Sequence, residues 1–246
     1  MVDLPRSARL VSWYNAWLAG TASPDDLSEL VLGTDTAATV HGMCDEPDTL
    51  MVAAGRLRRL GASTATLALP VPGDLLGLTG PPALNMAAVD AGEAAVFPGA
   101  GFAFVPQVVG AGVFWRAHDS NRVAYVPDVR DAERTLRETL IAAAEQLTAL
   151  DVAAWRPEIT AALSVLRDEQ EAPLPAGFPV RSVRLAALAL RCQGIVELAR
   201  EVGSAAVSAS QLARRDRTLD ELARACRQAL VAACSEPPRL ADARVR

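Results

Sequence analysis

The chain contains no lysine: all 24 of its basic residues are arginine. That absence excludes a Schiff-base lysine, the lysine of a phosphate-binding P-loop and the lysine of a kinase-type site. Aromatics make up only 4% of the 246 residues, and there are two histidines and four cysteines. The cysteines, Cys44, Cys192, Cys226 and Cys234, form no CxxC pair. No metal site and no cofactor is therefore expected, and the four read as free, buried thiols. GxSxG, HExxH and SxxK signatures are also missing, so no catalytic residue can be assigned.

Long apolar runs are scarce as well. Ala94 to Trp115 is 22 residues without a charge, enough to span a bilayer as a helix. Pro98, Pro106, Gln107 and four glycines cut it into strand-length pieces, so no membrane span is expected. Asp3, Pro5, Arg6 and Arg9 break the first ten residues and no apolar region follows. A secretory signal is not expected, and a cytoplasmic location is.

What the chain does have is small apolar side chains. Hydrophobic residues are 51% of it, and alanine supplies roughly a fifth of all residues, far above ordinary usage. Such a composition can bury a full core and favours helices packed at short distance.

The order of periodicities gives the organisation. Leu10, Trp13, Tyr14, Trp17 and Leu18 share one face of a helix that Gly20 ends. Ser23-Pro24-Asp25-Asp26 opens a second helix with a cap, a proline and an acid in their preferred places. Ala37–Met43 reads as a strand, Leu50–Leu60 as a helix and Ser63–Leu69 as a strand. This spacing predicts a βαβ unit with two parallel strands. A Pro/Gly-rich loop (70–82) and a short helix (83–91) follow. Residues 93–125 read as three or four short strands with tight turns, which predicts antiparallel pairing and hence a mixed sheet. The GxG pairs at Gly99-Gly101 and Gly110-Gly112 open no helix and read as hairpin turns.

From Val126 the pattern turns helical. Long helices are expected from about Asp128, around Ile159–Leu166, over Val180–Val202, and from a capping box at Ser208 through Leu230. The tail with Pro237 and Pro238 should fray. The expectation is an α+β protein: residues 1–125 a mixed α/β region carrying the βαβ unit, and residues 126–246 a helical region packed on it, the two sharing one core or forming separate domains.

Charge divides at the same place. Residues 1–125 hold seven Arg and twelve acids, a net of −5, while 126–246 hold seventeen of each. Arg214, Arg215, Arg217, Arg224 and Arg227 lie on one predicted helix, interleaved with Asp216, Asp220 and Glu221. They read as a solvated, ion-paired face, and no nucleic-acid partner is expected.

In sheets with parallel strands, ligands sit beyond the carboxyl ends of the strands. The loops there would bring Asp45, Glu46 and Asp74 to one rim, with Asn85 from the next helix and Arg116 and His118 from a strand end. Carboxylates so placed suit a hydroxylated ligand, a cationic ligand or a Mg²⁺ ion. The plainer explanation is that they cap and solvate turns. His41 and Cys44 fall on opposite faces of a strand end and make no nucleophile–base pair. Trp13, Tyr14 and Trp17 are expected to dock the first helix; left exposed, they would anchor a partner.

The segments LALPVPGDLLGLTGPPALNMAAVDAGEAAVF (Leu67 to Phe97), LPRSARLVSWYNAWLAG (Leu4 to Gly20) and WRPEITAAL (Trp155 to Leu163) resemble a family of uncharacterised actinobacterial proteins. The resemblance implies a cytoplasmic bacterial protein and brings no activity, cofactor or site residue. The residues themselves favour a non-enzymatic binding or adaptor protein, its partner another protein or a second copy met through alanine-rich helices. The alternative is a small-molecule enzyme or ligand-binding protein with its site at the carboxyl ends of the parallel strands.

Overall fold

A computed structural model describes residues 4–122, 125–149, 174–201 and 209–239. The elements, in chain order, are α1 (Arg6–Leu18), α2 (Pro24–Leu32), β1 (Ala38–His41), β2 (Asp48–Thr49), α3 (Leu50–Arg59), β3 (Thr66–Ala68), α4 (Pro82–Ala91), β4 (Ala94–Phe97), β5 (Phe102–Val109), β6 (Gly112–Asp119), α5 (Val129–Ala149), α6 (Val180–Glu201) and α7 (Ala209–Ser235). The α+β class and the helical second half agree with the reading of the sequence. The helix expected around Ile159–Leu166 and the cap at Ser208 lie outside the described residues.

Local chemistry accounts for most boundaries. At α2 the Ser23 hydroxyl accepts from the Asp26 N–H at 3.1 Å, while the Asp26 carboxylate accepts from the Ser23 N–H at 2.8 Å. This reciprocal cap satisfies two of the helix's orphan donors. Gly92 ends α4 in the left-handed conformation at φ 75°, which lets the chain reverse into β4. Both GxG pairs are hairpin turns, joining β4 to β5 and β5 to β6.

The strand order is β2-β1-β6-β5-β4-β3, and only β1 and β6 pair in parallel among the described strands. The sheet is mixed, as expected, but the expected βαβ pairing is wrong. β1 and β3 are four strand spacings apart, about 19 Å, and run in opposite directions. A ten-residue helix rises about 15 Å, so α3 with the loop after it carries the chain from one side of the sheet to the other. The β4–β6 meander then fills the gap, and its last strand becomes the parallel partner of β1. Spacing along the chain reveals that a crossover exists; it does not reveal which strand will lie beside it.

The two faces of the sheet are covered unequally. Val40, Phe97, Phe104, Val113 and Trp115 point into the main core, which also contains α1, α3 and α7. Trp115 and Phe97 are fully buried there. The other face packs a small second cluster, Ala68, Ala94, Val96, Ala103 and Val105, under Leu84 and Ala88 of α4. One ten-residue helix does not cover that whole face, and this sets up the candidate site below.

The β3 edge is sealed by side chains. Asn15 of α1 behaves as a missing strand: its Oδ1 accepts from the Ala65 N–H at 2.7 Å and its Nδ2 donates to the Ala65 carbonyl at 2.9 Å. Ser235, the last residue of α7, accepts from the Leu67 N–H at 2.9 Å. Arg227 donates to the Leu69 carbonyl at 2.8 Å. Three successive outward positions, 65, 67 and 69, are thus satisfied in a region from which water is excluded.

In the helical half α7 packs against both α5 and α6, and its final turns also reach β3 and α1. From Ala229 to Ser235 every residue of α7 is buried. Residues from both halves of the chain therefore line one continuous core. Arg239, expected in a frayed tail, donates its N–H to the Gly177 carbonyl at 3.0 Å, and Glu236 accepts from Ser182. Cys192, Cys226 and Cys234 are buried, whereas Cys44, expected to be buried, is exposed in the loop after β1. Among the described residues no helix is long and apolar enough to cross a membrane. The charge-free stretch that raised the question is β4, β5 and the first half of β6.

Candidate functional site

The predicted rim of carboxylates does not assemble. Asp45 and Glu46 follow β1, and Asp74 follows β3, which runs the other way, so they lie beyond opposite ends of the sheet. Asp45 and Glu46 are exposed. Asp74 is occupied: Arg227 donates to its Oδ2 at 3.0 Å, and Arg224 stands 3.5 Å from the same oxygen. It ties the loop after β3 to α7. Asp48, the neighbouring acid, pairs with Arg56 at 3.0 Å and so fixes the start of α3.

The other predicted residues do share one side of the molecule. Strand alternation puts Phe114, Arg116 and His118 of β6 on the face that carries α4, because Trp115 and Val113 take the core side. Register extends this face to its neighbours: Thr39 stands opposite Phe114, His41 opposite Arg116, Val105 opposite Arg116, and Gln107 opposite Phe114. Both histidines of the chain are therefore on one sheet face, on adjacent strands. α4 lies over β5 and reaches β6, and Asn85 is in its first turns. Among the described residues nothing covers this face beyond α4, over β1, β6 and the end of β5.

The geometry of this open half is specific. The His41 and Phe114 rings meet edge to face with centroids 5.2 Å apart. The His41 Nε2 and the Thr39 hydroxyl are 2.9 Å apart. The Arg116 Nε donates weakly to the Gln107 Oε1 at 3.5 Å. Phe114 remains 39% exposed although it sits on a central strand. His118 is held neutral more readily than a free histidine: burial lowers its pKa, the nearby Arg116 guanidinium adds to that, and Asp119 opposes it. Its Nε2, like the Oδ1 of Asn85, is buried without a hydrogen-bond partner. Asp119, next to His118 in the chain, alternates to the other face.

Away from the sheet, two shallow grooves mark the helical half. One, about 540 Å³, is lined by Arg130, Arg134, Arg137, Arg181, Glu133 and Ile141 among others. Its arginines are largely engaged, since Glu133 pairs with both Arg137 and Arg181 and Asp131 with Arg134. The second, about 420 Å³, runs between α5 and α7. Among the described residues no group of three or more His, Cys, Asp or Glu is placed to hold a metal ion.

Comparison with known proteins now adds its part. Residues 7–133 match the N-terminal domain, and residues 130–231 the C-terminal domain, of the Rv1486c-like protein family. The chain belongs to that family. An uncharacterised protein of Mycobacterium tuberculosis, Rv1486c, is 28% identical over 264 residues, covering 88% of this chain and 90% of the relative. An uncharacterised protein of Mycobacterium avium, MAV321, is 35% identical over 127 residues, or 41% of this chain and 42% of its own length. No solved structure matches the chain. The resemblance to an actinobacterial family is thus established, and the names of these relatives state no activity.

Within this Rv1486c-like chain the aromatic cluster of α1 is structural. Tyr14 is fully buried, stacks edge-on against Phe97 at 5.0 Å and donates its hydroxyl to the Ala62 carbonyl at 3.2 Å. Burial pushes its pKa well above the usual phenol value. Such a residue is unavailable to a partner, so of the two roles expected for Tyr14 the structure leaves docking and not the anchoring of a partner. Trp13 and Trp17 pack half-buried against the core, and the Arg58 guanidinium lies 5.5 Å over the Trp17 ring. Phe114 and His41 were not singled out together from sequence. Their only signal was alternation: in 113–118 the odd positions are valine, tryptophan and alanine, and the even positions carry phenylalanine, arginine and histidine.

Proposed function

We propose that the protein is a non-catalytic binding protein whose recognition surface is the half of the sheet face that α4 leaves open. The observation that carries this is Phe114, exposed on a central strand with His41 against it and Arg116 and His118 beside it. Aromatic and arginine side chains are the residue types that anchor partners, and here a phenylalanine and an arginine stand exposed two residues apart on one strand, with a histidine beside each of them. The alternative, a small-molecule site at the carboxyl ends of parallel strands, loses its geometric support because Asp74 lies at the far end from Asp45 and Glu46. Self-association through alanine-rich helices also loses support, since Ala225, Ala229, Ala232 and Ala233 are inside the core.

Photo-crosslinking in living cells tests the proposal. A photoreactive phenylalanine analogue is placed at Phe114 and, as controls, at the exposed Leu30 and Val52. A discrete adduct from position 114 that the controls do not give is the expected result. No adduct at 114, or the same adducts from all three positions, would refute it.

A further inference from the structure

We infer that the open sheet face takes a short apolar protein segment carrying a carboxylate, with Arg116 as its anchor. This rests on the open face being the recognition surface, and it names what that surface recognises.

The first ground is the state of Arg116. Several arginines of the first half are paired with acids, Arg6 and Arg9 with Asp35 and Arg56 with Asp48, while Arg122 donates to the Gly99 carbonyl and Arg58 lies over Trp17. Arg116 is exposed, and its partner is the neutral Gln107 at 3.5 Å. The face around it, Thr39, His41, Thr49, Gln107, Phe114 and His118, contains no carboxylate among the described residues. A guanidinium whose one hydrogen bond among the described residues is the long one to Gln107 has a donor fork shaped for a two-point grip on a carboxylate.

The second ground is what lies next to it. Phe114 is two residues along β6 on the same face, and Val109, 57% exposed, continues that face at the end of β5. A side chain adjacent to the carboxylate would cover these apolar surfaces. Third, the sheet offers its face rather than its edges. Side chains of α1 and α7 seal the β3 edge, and β2, at the other, is two residues long. An added strand would find little to pair with.

Charge also sets aside other occupants. A second copy docked face to face would oppose one Arg116-bearing surface to another. A nucleic-acid backbone needs a basic stripe, and this half of the chain has seven arginines against twelve acids.

The test is a random-peptide display library panned on the full chain. Enriched peptides are synthesised and titrated by fluorescence anisotropy against wild type, Arg116→Glu and Phe114→Ser. The expected peptides carry Asp or Glu next to an apolar residue. Arg116→Glu should weaken them at least about tenfold, and changing the peptide's acid to Arg should restore binding to that variant. Both positions are exposed, and circular dichroism melts verify that the variants fold. Peptides without an acid, bound equally by wild type and Arg116→Glu but lost with Phe114→Ser, overturn the carboxylate inference and leave the face reading in place. Binding indifferent to both substitutions overturns the face reading as well. No enrichment, or tight binding of a single-stranded oligonucleotide in place of acidic peptides, also overturns the inference.

Discussion

Replacing Asn15 with Leu removes its two hydrogen bonds to the Ala65 backbone and a long one from the Thr64 hydroxyl at 3.5 Å, while keeping the same branched arrangement of side-chain heavy atoms. Asn15 is 3% exposed and Ala65, whose N–H and carbonyl it satisfies at 2.7 and 2.9 Å, is fully buried. Leucine leaves both backbone groups without a partner and without water. Each such group costs about 1–3 kcal/mol, so the expected loss is about 4 kcal/mol. That is a large part of the ~5–15 kcal/mol that holds a typical domain together. For a chain of this size it lowers Tm by roughly 8–16 °C, and urea unfolding followed by circular dichroism reads the free energy directly. Asn15→Asp separates the two bonds. It keeps an acceptor for the Ala65 N–H but sets a buried carboxylate oxygen against the Ala65 carbonyl. Its folded-state pKa is therefore raised, and the variant should regain stability as pH falls and the carboxyl becomes a donor. If Asn15→Leu unfolds within about 1 kcal/mol of wild type with an unchanged urea slope, the idea that α1 completes the β3 edge is wrong.

Three further outcomes follow from charge and burial. Hydrogen bonding to Arg6, together with the charges of Arg6 and Arg9, outweighs burial and holds the Asp35 carboxyl below its usual pKa of 3.8. Its contribution is thus present above that value and lost as pH falls through the folded value, and Asp35→Asn should flatten the acid limb of a stability–pH profile. Glu93 has the opposite sign. Burial raises its pKa above 4.5 although the Ser7 N–H donates to it at 2.6 Å. Its stability is present below that value and lost as pH rises through the folded value, so Glu93→Gln should gain on wild type at neutral pH and lose that advantage in acid; a profile without this crossover contradicts the assignment. For the thiols, one of four should react with a disulfide reagent in the native protein, Cys44, while Cys192, Cys226 and Cys234 wait for unfolding. Burial pushes the Cys234 thiol up to about 12, which suppresses the reactive thiolate. Fast modification of two or more sites would mean the helical core opens readily.

Elements whose signals are local were legible in the sequence. The α2 cap needs only Ser23 and Asp26, the hairpins need only their glycines, and α5 needs only its own apolar spacing. Pairing was not legible, because β1 chooses between β3 and β6 through contacts 70 or more residues apart. Thr39 lies opposite Phe114 only once the meander has formed. β2 escaped notice for a related reason. Two residues in an acidic loop, Asp48 and Thr49, become a strand by pairing with Val40 and Thr39, not by any pattern of their own.

The candidate site shows the same division. Asp45, Glu46 and Asp74 were chosen because a parallel-strand rule was applied to strands that prove antiparallel in sense, so the error in topology became an error in chemistry. Arg116 and His118 depended on no such rule. They stand on the same strand two residues apart, and period-two alternation alone puts them on a common face whatever strand lies beside them. What alternation could not show is that this face would be half covered. That depends on α4 being a single short helix laid over β3–β5, with its buried residues, Leu84 and Ala88, small in number and size. Among the described residues the open surface thus follows from a ten-residue helix on a six-stranded sheet: the apolar cluster under α4 reaches from β3 to β5, and Phe114 and His41 lie on the strands beyond it.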